Sequence, residues 1–466
     1  LLCTLIATSS HALTLDEYLS EVQKKHKEFQ SFEVSKEAAE DRRVAGDLAL
    51  SPTLSMDTSY LSDEKKPQTT GGTKLQATQY NAGVAKQFST GTYLGVSGNL
   101  QHLTIANPVL PGFPSDYTTG TLAVTLSQSL WKNAFGRAVS LRRERETVSS
   151  NLEKESFNLQ QRQILYNAES AYWDYMYQQE ELAQKVDSLE RSRKIETWLK
   201  RRFSDGISDR ADFLNAQALS ISRELALAVT RDQALSAEKN LRDFMELAPN
   251  EKLPALNSDF KKPRNIGELI SGATAGDIVR LDTYLASLEA QAKGLGAKEA
   301  QEALRPDLVL QGSYATNSFS TISQNDALKD IAKADAPTSQ VALKFSYMFD
   351  TDAKNSQESL SRKEALAAQL KSERKILESA SSWSELQRRY GELLKQIETA
   401  EKLNKVQLSR AKEQGLKLSR GRSVTSDVVI SEEDASSSAL SLNRMRAEAR
   451  KIEAQSRLFI RISQKN

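Results

Sequence analysis

The sequence predicts an α+β membrane protein, in which long antiparallel helices are joined to strands that several chains combine into one barrel. Three observations predict this fold class. Residues 137–202 contain neither Gly nor Pro, which favours a single helix about 100 Å long at 1.5 Å per residue. Shorter segments alternate apolar and polar residues, as strands do. The order of helices and strands in the first half of the chain returns in the second half.

The composition excludes several classes of function. The 466 residues include 63 Lys and Arg against 61 Asp and Glu, a net charge of +2 that gives no reason to expect nucleic acid as a partner. One Cys and three widely separated His offer no cluster for a metal site or for a nucleophile. No glycine-rich phosphate-binding motif occurs. We therefore predict no catalytic residues, no metal, no cofactor and no enzyme activity.

The first twelve residues are predicted to be the remnant of an export signal peptide. The segment is apolar, and Ser10 and Ala12 are small residues at the two positions that a signal peptidase recognises. Cys3 follows the large Leu2, which disfavours a lipid-modification site. No later segment has 18 consecutive apolar residues. An exported chain of this kind is periplasmic, secreted, or a β-barrel protein of an outer membrane.

Residues 13–250 are predicted to form a first structural repeat. A helix over about 14–50 precedes a strand in which Leu54, Met56 and Tyr60 share one face. An additional hairpin follows at about 78–104, then a strand ending near Leu130, the long helix and a returning helix. The returning helix carries a coiled-coil seam at Leu214, Ala218, Ile221, Leu225, Ala228 and Leu235.

A proline-containing linker, residues 251–265, is predicted to separate this repeat from a second one at 266–466. The second repeat has a helix at about 276–304, two strands, an uninterrupted helix from about Ala353 to Leu418, and a last helix. Its hairpin is roughly 39 residues shorter than that of the first repeat, judged from the spacing of matching prolines and turns. The sequence leaves open whether the extra hairpin joins the barrel or forms an extracellular loop.

The alternating strands require more than one chain. Two strand pairs cannot close a barrel, and open sheet edges do not stand in lipid. The alternation suits a barrel with lipid outside and water inside. The alternative is an elongated exported coiled-coil scaffold, a structural protein without a pore, which leaves the strands unexplained.

Two similar turns, "FSDGISDRADFLNAQ" and "LSRGRSVTSDVVISE", end the two long helices. Four residues of the first match four of the second at a constant separation of 215 residues: Ser204, Gly206, Ser208 and Asp212 match Ser419, Gly421, Ser423 and Asp427. We expect the glycines to end the helices in the left-handed conformation. We expect Ser208 and Ser423 to cap the returning helices and the aspartates to lie at their positive ends.

These turns, with "LTLDEYL" at 13–19, "LSQSLWKNAFGRA" at 126–138 and "AYWDYMYQQEEL" at 171–182, make the chain resemble the TolC family of outer-membrane efflux proteins over essentially its whole mature length. The resemblance implies a homotrimer with a 12-stranded barrel in outer-membrane lipid and a 12-helix tunnel through the periplasm. It implies a passive exit duct of a tripartite efflux or type I secretion system. The implied partners are a periplasmic adaptor and an inner-membrane transporter. The extra hairpin departs from the family pattern.

The resemblance also assigns functional residues to the second turn. Asp427 matches the residue that forms an acidic pore constriction, whereas Ile430 replaces a second acid, so the constriction should be less acidic. We expect Glu432, Glu433 and Asp434 to lie on a solvated face of the last helix. Apolar residues beside both turns are candidate adaptor contacts or seals between neighbouring helices: Phe203, Ile207, Leu418 and Val424. Arg420 and Arg422 are candidate latches of the closed state.

Overall fold

A computed structural model describes residues 12–64, 72–108, 112–248, 250–256, 260–264, 266 and 278–461. The signal remnant up to His11, including Cys3, lies outside the described residues. The chain divides into two compact units. Unit 1 comprises Leu1–Glu37, Lys154–Leu285 and Glu373–Asn466, and unit 2 comprises Ala38–Glu153 and Ala286–Ser372. Each unit takes segments from both halves of the chain, so the repeat boundaries at 13–250 and 266–466 stay predictions.

Eight α-helices occur in the part of the chain that the structure describes. They are α1 Leu15–Lys25, α2 Lys27–Ala45, α3 Arg137–Ser204, α4 Arg210–Phe244, α5 Leu281–Ala303, α6 Gln324–Lys333, α7 Thr351–Ser419 and α8 Thr425–Gln455. The two long helices, α3 of 68 residues and α7 of 69 residues, end within two residues of their predicted bounds. None of the described helices has an apolar stretch long enough to cross a membrane.

The predicted helices need two corrections. The helix expected over 14–50 is interrupted at His26, whose extended backbone (φ −64°, ψ 114°) ends α1. The chain then continues as α2 and a short 3-10 helix, Gly46–Leu50. The short helix α6 was not predicted at all. It begins where the Ser323 hydroxyl accepts a hydrogen bond from the Asp326 backbone N–H.

The core of unit 1 explains two of the sequence motifs. Thr14 and Glu17 form a capping box that starts α1, and this places Tyr18 in the core. The Tyr18 ring lies 5.3 Å from that of Tyr172, which meets Trp173 edge to face. The segment "LTLDEYL" therefore packs against "AYWDYMYQQEEL" and helps hold the long helix α3 in place.

The segment predicted as a linker is packed against the helices of unit 1 where it is described. The ring of Phe260 is buried and lies 6.4 Å from that of Trp173. The backbone N–H of Leu13 donates to Ala255 O at 2.7 Å. The prolines of 251–265 thus break the helical pattern without freeing the chain from the core.

A second core of unit 1 lies between α7 and α8. Trp383, Tyr390 and Ile452 are among its buried members. The Tyr390 hydroxyl donates to Glu453 at 2.6 Å, and Arg450 contacts the same carboxylate at 2.7 Å, with both members of the ion pair 2% exposed. Two short strands, β5 Ile278–Arg280 and β8 Phe459–Arg461, pair antiparallel beside this core.

Unit 2 contains one six-stranded antiparallel sheet. Its strands are β1 Thr53–Asp63, β2 Lys74–Gln87, β3 Thr92–Ala106, β4 Asp116–Ser129, β6 Asp307–Ser320 and β7 Pro337–Ser346, in the order β1-β2-β3-β4-β6-β7. The extra hairpin of the first repeat supplies β2 and β3. These strands lie between β1 and β4, and therefore belong to the same sheet as the strands of the second half.

The register separates an apolar face from a polar face. Residues directly opposite one another in neighbouring antiparallel strands point to the same side. One row of the apolar face runs through Leu54, Val84, Val96, Val124 and Tyr314. The adjacent row on the other side of the sheet, the polar face, contains Thr53, Ala85, Gly95, Thr125 and Ser313. The alternation predicted for the strands is confirmed across the sheet.

Candidate functional site

The two similar turns are built from the same hydrogen bonds. In the first, the N–H of Gly206 donates to Phe203 O at 3.1 Å and the N–H of Ile207 to Arg202 O at 2.8 Å. In the second, Gly421 donates to Leu418 O at 2.9 Å and Arg422 to Lys417 O at 2.8 Å. This pair of bonds is the Schellman motif that closes a helix C-terminus.

The glycines adopt the predicted left-handed conformation. The φ angle is +72° at Gly206 and +68° at Gly421. The preceding serines match as well, since Ser204 Oγ donates to Arg201 O at 2.7 Å and Ser419 Oγ to Leu416 O at 2.8 Å. Each serine therefore satisfies a carbonyl of the last helical turn. The sequence match between the turns is a match of backbone structure.

The predicted N-caps are wrong. Helix α4 is preceded by Asp209 and helix α8 by Val424, each with extended backbone and no side-chain capping bond. Ser208 instead donates to the Asp212 carboxylate at 3.2 Å, and Ser423 to the Gln414 side chain at 3.0 Å. Each returning helix therefore begins one residue later than predicted.

The two aspartates lie in the first turns of the returning helices, as predicted. Asp212 belongs to the first turn of α4 and Asp427 to that of α8. The two residues differ in their surroundings. Asp212 accepts the hydrogen bond from Ser208, whereas the carboxylate of Asp427 is exposed and has no side-chain partner within the described residues. Asp427 is thus the more exposed of the two aspartates and the one that no side chain holds in place within the described residues.

The acidic run after Asp427 is not one solvated face. Glu432 is buried and accepts from Arg191 of α3 at 2.9 Å, while Asp434 pairs with Arg410 of α7 at 2.8 Å. Of the three acids, only Glu433 is exposed. Two of the three acids therefore link α8 to the long helices, a role that the sequence pattern did not indicate.

The four candidate contact residues fall into two groups. Ile207 and Val424 are 63% and 59% exposed, and Phe203 is partly exposed with its ring stacked 5.9 Å from that of Phe213. Leu418 is 6% exposed. Leu418 is buried within its own chain, so it does not offer a contact to an adaptor and fits the alternative role of sealing neighbouring helices.

Basic side chains surround the second turn. Arg420 and Arg422 are exposed, and neither has a side-chain partner in the part of the chain that is described. Arg202 of the first turn lies between the turns, with its guanidinium 4.7 Å above the Trp198 ring. A Cβ atom on Gly421 would be 3.8 Å from Arg202 Nη1. Arg202 was not predicted as a site residue, although it lies four residues before Gly206 in the sequence. The latch role of Arg420 and Arg422 stays a prediction.

The predicted coiled-coil seam of α4 faces outward from its own chain. Leu214, Ile221, Leu225 and Leu235 are all exposed large apolar residues. The buried side of the helix instead carries Ala216, Leu219 and Leu241, among others, and α4 packs against α8. The exposed stripe Leu214–Leu235 is therefore an apolar surface that the chain itself does not cover.

His102 has partners that the sequence did not reveal. Its Nε2 lies 3.3 Å from the Asp116 carboxylate and its Nδ1 lies 3.1 Å from the Thr118 hydroxyl. The three residues sit on the paired strands β3 and β4. Thr118 is 2% exposed, and both contacts of His102 cross from β3 to β4.

Comparison with known proteins finds likeness in structure only. No family model and no curated protein matches the sequence. The solved structure of VceC, an outer membrane protein of Vibrio cholerae, is 14% identical with a TM-score of 0.67 over 94% of each chain. The open state of the MtrE outer membrane channel of Neisseria gonorrhoeae is 16% identical, with a TM-score of 0.66 over 95% of this chain and 88% of that one.

A third structure, the CmeC outer membrane channel of Campylobacter jejuni, is 11% identical with a TM-score of 0.66 over 95% of this chain and 85% of that one. The likeness extends over nearly the whole chain in each case. The chain therefore has the fold of solved outer-membrane channels, which confirms the predicted combination of long helices with antiparallel strands. The trimer, the twelve-stranded barrel and the internal repeat stay predictions.

Proposed function

We propose that a chain with this fold is itself an outer-membrane channel: three copies form a passive exit duct that extends into the periplasm. The duct receives its cargo from an inner-membrane transporter through a periplasmic adaptor, in tripartite efflux or type I secretion. The observation that carries the proposal is the likeness to solved outer-membrane channels over 95% of the chain. No chemical step is assigned to the protein.

The exposed apolar face of the sheet supports a membrane location. Leu54, Val124 and Leu343 are 65%, 42% and 64% exposed. Such a face is too apolar to be left in water, and lipid covers the corresponding face of membrane β-barrels. The scaffold alternative gives this face no role.

The exposed stripe of α4 supports self-association. Its residues follow the spacing of a coiled-coil seam, and a second copy of the chain would cover them with a helix of its own. The stripe and the open sheet both require neighbours, and one closed ring of copies supplies them to both. The number three comes from the family resemblance.

The turns are proposed as the periplasmic entrance. Asp427 from three copies would form a ring in which the carboxylates attract cations and repel one another. The exposed Phe203, Ile207 and Val424 are proposed adaptor contacts. Arg420 and Arg422 are proposed latches that separate when the helices realign.

The proposal is tested by location and native mass. The full precursor is expressed in a bacterium with two membranes, the membranes are separated on a density gradient, and the detergent-extracted protein is sized. We expect outer-membrane material with three times the mass of one chain. A soluble monomer or a filament would overturn the channel and favour the scaffold.

The constriction is tested by a matched pair of variants in planar bilayers. We expect Asp427→Ala to raise single-channel conductance severalfold, because the shorter side chain widens the constriction, and to weaken cation preference, because the ring loses its charge. Asp212→Ala, at the equivalent position of the first turn, should leave both properties unchanged. Wild-type conductance and selectivity in Asp427→Ala channels would show that Asp427 only favours the positive helix end.

A further inference from the structure

We propose that β2 and β3 are membrane strands of the barrel wall, and that copies of the chain join through the free edges of β1 and β7. With six strands per chain, the three copies of the proposed function close a barrel of eighteen strands. The family resemblance implies twelve. This inference rests on the proposed trimer, and it adds the partner of each sheet edge and the width of the duct.

The first observation is the continuous register of the extra hairpin. Every residue of β1 from Thr53 to Asp63 is paired with a residue of β2. Strand β3 is paired along its length with β2 on one side and β4 on the other. A hairpin that folded away as an extracellular loop would leave β1 beside β4. Instead, two strands of 14 and 15 residues separate them, each long enough to cross a bilayer.

The second observation is that the faces of β2 and β3 match those of their neighbours. On the apolar face, Val84 and Val96 lie in the same row as Val124 and are 48% and 41% exposed. On the polar face, Asn81 accepts from Asn99 and donates to Asp57 at 2.7 Å. A hydrogen-bonded ladder of polar side chains suits a water-filled interior, while the valines suit lipid.

The third observation concerns the edges. Neighbouring strands are antiparallel throughout, so β1 and β7 run in opposite directions. The β7 edge of one copy can therefore pair antiparallel with the β1 edge of the next. The strands have similar lengths, 11 and 10 residues. Lipid offers no hydrogen bonds to their outer N–H and C=O groups, so another copy of the same sheet is the partner that completes them.

The strand number determines the width of the barrel. Barrel diameter rises roughly in proportion to strand number, so eighteen strands give a barrel about one and a half times as wide as twelve. A barrel of this size encloses an aqueous channel. The membrane end of the duct would then pass bulkier cargo than the resemblance implies, and the limit on passage would lie at the helical turns.

The first test measures the depth of single cysteines in the membrane. Cysteine is introduced at Val84, Val96 and Val124 in a Cys3→Ser background, labelled with a fluorophore, and the trimer is placed in vesicles containing doxyl-labelled phosphatidylcholine. We expect doxyl quenching at Val84 and Val96 as well as at Val124, since the three lie in one row of the apolar face. Ala85→Cys, on the polar face, should respond to aqueous iodide instead.

The outcomes separate this inference from the proposed channel. Quenching at Val124 without quenching at Val84 or Val96 would overturn the eighteen-stranded barrel and leave the channel standing. Absence of lipid quenching at all three positions would overturn the barrel itself.

A second test measures strand order by cross-linking on the polar face. Thr53 lies opposite Ala85, whereas Thr125 lies three strands from Thr53, about 14 Å away at 4.8 Å per strand. That distance exceeds the reach of a disulfide. On oxidation with copper phenanthroline, Thr53→Cys should cross-link with Ala85→Cys and not with Thr125→Cys within the chain. The reverse result would place β1 beside β4 and overturn the inference.

Discussion

Glycine has two different roles in this chain. At Gly206 and Gly421 the backbone is left-handed, whereas Gly391 lies within the helix α7. A Cβ atom would meet nothing within 4 Å at Gly206 or at Gly391. The two positions therefore differ in backbone conformation and hardly at all in available space.

Alanine substitution should have opposite effects at these positions. We expect Gly206→Ala to destabilise the protein by about 1–2 kcal/mol, the cost of a left-handed alanine. Gly391→Ala should stabilise it by about 0.5–1 kcal/mol, because alanine favours the helix. Denaturation of the detergent-extracted protein by guanidinium measures both changes. Equal effects at the two positions would contradict the Schellman turn.

One carboxylate of unit 1 gives a pH-dependent contribution to stability. Burial alone would raise the pKa of Asp282, but the hydrogen bonds and charges of Arg280 and Lys375 outweigh it, so the pKa lies below its ordinary value. Arg280 Nε donates to Asp282 at 2.9 Å and Lys375 Nζ at 3.3 Å. Since the folded state lowers the pKa, the carboxylate stabilises the protein above the unfolded-state pKa.

We therefore expect Asp282→Asn to cost about 1 kcal/mol at neutral pH. The difference from the wild type should vanish as the pH falls below about 4, through the lowered pKa of the folded state. Denaturation midpoints measured from pH 7 to pH 2 check this. A difference that stays constant over that range would mean that the effect of the substitution is not electrostatic.

The sequence predicted the turns better than the residues around them. Gly206 and Gly421 follow from their local chemistry, because few other residues end a helix in this way. The N-caps at Ser208 and Ser423 were wrong, since Asp209 and the apolar Val424 hold those positions without a side-chain capping bond. The Glu432–Arg191 contact joins residues 241 positions apart, and no local pattern indicates it.

At the scale of the elements, the position of helix α6 depends on one small residue. The helix lies against the apolar face of the sheet at Gly120. A Cβ atom on Gly120 of β4 would come within 2.4 Å of Ile331 Cδ1. The Thr316 hydroxyl of β6 donates to Ile331 O at 3.2 Å. Gly120 therefore makes the space in which α6 is held.

We expect Gly120→Val to displace α6 and to expose the segment 321–336 to protease, since the added methyl groups occupy the place of the Ile331 side chain. Ile331→Ala should partly restore protection in the double variant. Gly312 lies on the same sheet face with open space around it, so the protease should cleave the Gly312→Val variant as slowly as the wild type. Resistance of Gly120→Val to limited proteolysis would contradict the contact.

The long helices were predictable because the sequence patterns that indicate them extend over many residues. The 66 positions of 137–202 without Gly or Pro outweigh any local ambiguity, and α3 ends at Ser204. Short elements depend on single residues. His26 breaks a helix without Gly or Pro, and α6 was missed although Ser323 begins it with an ordinary cap. The sheet order could not be predicted, because the alternating strands fit several pairings equally well.

At the scale of the whole molecule, the exposed stripe of α4 gives the clearest test of assembly. Ile221 and Leu225 are 61% and 67% exposed, so their substitution leaves the core of the chain intact. We expect Ile221→Asp with Leu225→Asp to release monomers from the proposed trimer, because a desolvated carboxylate is strongly disfavoured at an apolar seam.

Sedimentation of the detergent-extracted protein measures this change in mass. Ser437→Asp with Ser441→Asp is the control, since it places the same two charges, also four residues apart, at exposed polar positions of α8. An unchanged trimer in the double variant would show that the stripe is not an interface between copies.

The open edges of the six-stranded sheet also affect whether a newly synthesised chain assembles or aggregates. Until β1 and β7 meet their partners, each copy carries two unpaired strand edges, the feature by which proteins aggregate or template fibres. The sheet edges become paired only when separate chains associate, so the rate of this step rises with the concentration of the chains. Slow export therefore prolongs the time during which the strand edges stay unpaired, and fast export shortens it. Insoluble deposits should accumulate when synthesis continues while delivery to the membrane is blocked.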